Sequence, residues 1–180
     1  FYSMQITNVG AEGFNAYVIS GEKTAVIDGV PEKYARKYID NIKKVTDRVD
    51  YLICNHASPH TEGSAAELMK EYPNIKIIAS TAGMRNLKGI LNSDFNELLA
   101  KDEMTLDLGG AELKFLLTSN LNWPDTMMTC CGDIVFSGLM FAGEYDYFKE
   151  NFSAFKPFVK YAAERLVSVN GIYPCLGGKR

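Results

Sequence analysis

The chain has 180 residues, 47% of them hydrophobic and 23% charged, with a formal net charge of −3; that is the length of a single domain with a substantial core. Positive and negative residues are interspersed, which excludes the broad basic face a phosphate backbone requires, so no nucleic acid partner is expected. No apolar run reaches the ~20 residues needed to span a bilayer, so no membrane partner is expected either.

In chain order, Phe14 to Ser20 (FNAYVIS), the turn Gly21-Glu22-Lys23 and Thr24 to Gly29 (TAVIDG) read as a β-hairpin. Pro31 opens PEKYARKYIDNIKKV, in which Tyr34, Tyr38, Ile42 and Val45 recur at three- and four-residue steps, the signature of an amphipathic helix with Pro in its first turn. Val49 to Cys54 is a short buried strand. The turn Asn55 to Ser64 leads into the helical SAAELMKEY, the strand IKIIAS and the helical TAGMRNLKGIL. Strand alternating with helix predicts α/β layers with parallel pairing. From Met104 the pattern changes to strands expected to be largely antiparallel: MTLDL, a turn at Gly109-Gly110, AELKFLLTS, TMMTCCG and DIVFSG. KENFSAFKPFVKYAAERLVSV predicts a late helix that Pro157 kinks or breaks, and GIYPCLGG closes the chain as a strand and loop. No repeat, linker or low-complexity tract divides it, so residues 1–180 are expected to form one domain.

Cys54, Cys130, Cys131 and Cys175 show no C-x-x-C pair and no zinc or iron–sulfur spacing. They are expected to be small buried thiols in a reducing, cytoplasmic setting. No G-x-x-x-x-G-K-[ST] phosphate loop and no nucleophile-elbow sequence is present.

The segment with chemistry in it is NHASPHTEGS, Asn55 to Ser64. Both histidines of the chain, His56 and His60, lie in this turn, with Glu62 beside them and Ser58 and Thr61 as weak neutral donors. Imidazole and carboxylate groups converging from strand ends are what a first-row metal requires. The competing reading is that one histidine orients the turn while the other is solvated. Asp28, ending a strand, reads as a structural carboxylate, and Trp123 with Met127 and Met128 as core or interface.

At these residues the chain resembles the metallo-β-lactamase-fold domain of flavodiiron proteins, the A-type flavoproteins that reduce oxygen or nitric oxide. The resemblance runs from about Phe14 to Gly177. It is carried by FNAYVISGEKTAVIDGV, by NHASPHTEGSAAELMKEYPNIKIIAS, by LDLGGAELKFLLTSNLNWPDTMMT with its Trp123-Pro124-Asp125, and by DIVFSG. The family turn N-H-x-E-P-D-H-x-G-S aligns without gaps on Asn55 to Ser64. The resemblance implies an α/β, four-layer αββα sandwich.

It also implies that the metal ligands have changed. His56 keeps the first family histidine; Ser58 stands for the glutamate, His60 for the aspartate, Thr61 for the second histidine and Asn122 for the histidine before Trp-Pro-Asp. The bridging aspartate falls at Leu139 or Met140 and the last histidine at Leu176, so one of seven ligands is kept. On this basis no catalytic residue, no metal and no cofactor are expected in this chain, whereas the family carries a diiron centre and binds FMN on a separate C-terminal flavodoxin-like domain. The residual metal candidates are His56, His60, Glu62 and Asp125. The resemblance implies a non-catalytic scaffold that forms a homodimer and meets a flavodoxin-like domain or redox partner in an electron-transfer system. Whether it is an enzyme stays open, and the alternative is a mononuclear metal-dependent oxidoreductase or hydrolase using His56 and His60. The chain ends about where the flavin domain begins in the family, so it is either a stand-alone domain or a piece of a longer flavoprotein.

Overall fold

A computed structural model describes residues 3–10, 13–140 and 171–175. Two sheets face each other. The first holds six strands in the order β1-β2-β3-β4-β5-β6, namely Ser3–Val9, Phe14–Ser20, Thr24–Ile27, Tyr51–Cys54, Lys76–Ala79 and Asn96–Leu99. The second holds five, in the order β11-β10-β9-β8-β7, comprising Gly171–Pro174, Ile134–Gly138, Met127–Cys131, Glu112–Leu117 and Thr105–Asp107.

The pleat explains why β3, β4 and β5 read as unbroken apolar runs. Ile27, Ile53 and Ile78 point into the space between the sheets, while Val26, Leu52 and Ile77 point at the helices on the opposite face. A strand covered on both sides has no polar face to show. The helices are α1 (Ala35–Lys43), α2 (Pro59–Glu62), α3 (Ala65–Glu71) and α4 (Thr81–Leu91). They connect strands β3 to β6, which pair in parallel as expected, whereas β7-β8-β9-β10 are antiparallel. The inner face of the second sheet supplies Leu113, Phe115, Met127, Cys131 and Phe136 to the inter-sheet core. Each such fully buried side chain contributes about 1.5–3 kcal/mol of transfer free energy.

The fold is the α/β metallo-β-lactamase sandwich predicted from the sequence. The late helix at 149–169 lies outside the described residues. The helix expected from Pro31 begins instead as a short 3-10 turn, Glu32–Tyr34, and ends at Lys43, leaving Val45 exposed. All four cysteines are free thiols, three buried and Cys130 half-buried. Among the described residues no helix is long and apolar enough to cross a membrane.

Candidate functional site

The carboxyl ends of β3, β4 and β5 deliver Asp28, Asn55 and Ser80 to one place, the position at which parallel α/β sheets present their chemistry. The second sheet reaches the same place from the other side. Gly138 ends β10 with φ +60°, and a Cβ there would lie 2.9 Å from the Asn55 Cβ, so only glycine lets the two sheets close over the turn.

Asn55 anchors the turn from below. Its backbone N–H donates to Asp28 Oδ1 at 3.0 Å and its side-chain amide to Asp28 Oδ2 at 3.2 Å, while its Oδ1 accepts from the Thr129 hydroxyl at 2.8 Å. Asp28 adopts φ +60°, a left-handed conformation uncommon outside glycine, and this pair of hydrogen bonds holds it there. Burial pushes its carboxyl up to about 6, against the opposing pull of the Asn55 donors and of His56. This buried network was invisible in the sequence, because Asn55 and Thr129 are 74 residues apart.

His56 is 5% exposed, and its Nδ1 lies 3.0 and 3.1 Å from the two carboxylate oxygens of Asp125. The Ala57 N–H donates to Asp125 Oδ2 at 2.8 Å. Burial tends to raise Asp125, but the hydrogen bonds from His56 and Ala57 outweigh it and hold the carboxyl below its ordinary range. An ionised carboxylate only accepts, so Nδ1 is the donor in both contacts. The indole of Trp123 stacks on the imidazole with ring centres 5.6 Å apart and planes 19° from parallel, and is itself 52% exposed. His56 and Trp123 line a groove of about 630 Å³ with Ser58, Arg85, Asn86 and Ile90.

The other predicted site residues do not join this pair. His60 is exposed on α2. Glu62 is fully buried on the far side of the turn, where its Oε1 accepts from the Gly29 N–H at 3.3 Å and its Oε2 has no partner among the described residues. Burial, then the nearby charge of Asp28, drives the Glu62 carboxyl well above its ordinary range, against hydrogen bonds from Cys54 and Gly29. Ser58 Oγ lies 3.1 Å from Thr61 Oγ1, not beside a histidine nitrogen, so no nucleophile–base pair forms. His56 is thus buried against Asp125, while His60 lies on the surface.

Among the described residues, no group of three His, Cys, Asp or Glu side chains could hold a metal ion. Leu139 carries no donor atom and Met140 only a soft thioether, and Leu176 lies outside the described residues.

Residues 13–173 match the model of the ODP family beta lactamase. The flavo-diiron protein FprA2 of Clostridium acetobutylicum is 44% identical over 120 residues, covering 64% of this chain and 30% of that protein. The anaerobic nitric oxide reductase flavorubredoxin of Salmonella arizonae is 32% identical over 151 residues, covering 81% of this chain and 32% of the relative. The solved rubredoxin oxygen:oxidoreductase of Desulfovibrio gigas superposes with a TM-score of 0.83 at 24% identity, covering 92% of this chain and 48% of that one. The chain thus spans about a third of the length of these two curated relatives. These names overturn the expectation that the chain has no cofactor. Relatives this similar are named for diiron and flavin, and exchanged ligand positions in one turn do not demonstrate loss of a metal, because a donor set can be completed by residues elsewhere in a fold. With the match running through both sheets and the turn between them, the chain belongs to the ODP family of beta-lactamase-like domains found in flavodiiron proteins.

Proposed function

We propose that this domain is a non-catalytic scaffold and dimerisation module of a cytoplasmic flavoprotein electron-transfer system. The observation that carries this reading is the dispersal of the candidate donors: His56 is committed to Asp125, His60 faces solvent and Glu62 is locked against Gly29. The relatives are named for iron and flavin, which supports a system of that kind as the one this domain serves. The partner is then a flavodoxin-like domain, in the same chain or another, docked against a dimer whose geometry this domain sets.

Sedimentation equilibrium of the chain over a range of micromolar concentrations tests the dimerisation role. The expected result is twice the chain mass of 20.0 kDa. A monomer throughout the range contradicts it.

A further inference from the structure

The turn Asn55 to Ser64 carries both histidines of the chain and joins β4 to α3. Its polar backbone is well partnered from within the protein. Asn55 N–H goes to Asp28, Ala57 N–H to Asp125, Ser64 N–H to Val30 O at 2.9 Å, and Asn55 O accepts from Met127 N–H at 2.9 Å.

The centre of the turn depends on one side chain. Thr61 is 2% exposed, and its hydroxyl donates to the His56 carbonyl at 2.6 Å while accepting from the Ser58 N–H at 3.1 Å. Ser58 Oγ adds a contact to the same hydroxyl at 3.1 Å, and the donation from the Ser58 N–H to the Thr61 side chain is one half of the capping box that starts α2, with Pro59 at its first position. Ser58 and Thr61 are two of the positions where the sequence departs from the resemblance stated above. They leave no unsatisfied gap in the turn; they bond to each other and to the backbone of His56.

We propose that Thr61 is the positioning residue for His56: its hydroxyl closes the turn through hydrogen bonds, so that the imidazole is held against Asp125 and Trp123 at the groove whether or not an ion is present. The inference concerns the conformation of the turn and stands apart from whether the domain is catalytic, so activity is not its readout.

Amide hydrogen exchange at Ser58 and the ¹⁵N shifts of the His56 ring test it, in protein with and without dialysis against a strong chelator. Thr61→Val removes the hydroxyl at nearly constant volume, and Thr61→Ser restores it. Loss of one neutral hydrogen bond speeds exchange at Ser58 by about tenfold in Thr61→Val, with the His56 ring ¹⁵N shifts moved from their wild-type values as the ring leaves Asp125, while Thr61→Ser matches the wild type. Chelation leaves the wild type unchanged. Exchange at Ile53 and Ile77 reports whether the core of each variant is intact. Wild-type exchange and ring shifts in Thr61→Val overturn the proposal. So does a wild type whose turn loosens on chelation, and that arm remains decisive even if Thr61→Val does not fold.

Discussion

Asp125 and His60 show how differently two polar residues of one site can matter. Asp125 is buried and accepts from both His56 Nδ1 and Ala57 N–H, so truncation leaves two buried donors without partners. Asp125→Ala is expected to cost about 3 kcal/mol of stability. His60→Ala, at an exposed position, should stay within about 0.5 kcal/mol. Urea denaturation of both variants checks the contrast, and equal losses would contradict the assignment of roles. Asp28 adds a pH dependence whose sign follows from its environment. Its carboxyl is raised on folding from 3.8 to about 6, so the folded state binds more protons than the unfolded one across this interval. The contribution is fully present below about pH 4 and is lost as pH rises through about 6. Asp28→Asn should therefore flatten the stability profile between those values relative to wild type, even though the variant is less stable overall; an unchanged slope would show that the carboxyl titrates elsewhere.

At the scale of elements, the central strands were legible because their chemistry is local. Thr24–Ile27, Tyr51–Cys54 and Lys76–Ala79 are apolar on both faces, and the helices between them carry periodic apolar residues. The edge strands of the first sheet were not. Asn96–Leu99 is mostly exposed, with the burial of a strand paired on one side only, and its sequence gives little alternation. Ser3–Val9 likewise owes its conformation to seven pairings with Phe14–Ser20, not to its own pattern. The short helix Pro59–Glu62 escaped notice for a related reason: four residues carry no periodicity, and only the Ser58–Thr61 capping geometry reveals it. In the candidate site, the sequence showed the concentration of polar donors in one turn but not their directions. His56 and His60 are four residues apart, yet one is buried and the other exposed, because α2 begins between them at Pro59. The partner of His56 comes from Asp125, 69 residues away, a proximity only the packing of the two sheets creates.

For the whole molecule, the same sandwich that in relatives is named for iron and flavin here places an oriented imidazole, an exposed indole and a groove at the carboxyl ends of the parallel strands. Fold membership alone does not decide what such a site does, because chemistry resides in the donors and not in the frame. His56 and Asp125 bond to each other and Glu62 accepts from Gly29, while His60 is exposed, and this supports the proposed scaffold, whose work is done by association. Oxygen uptake tests this most directly: the purified chain, supplied with ferrous iron and with chemically reduced FMN as electron donor, is compared with reduced FMN and iron alone. The account predicts the same rate in both. Iron-dependent uptake well above that control, abolished by His56→Ala, would contradict it and make the turn a working redox centre.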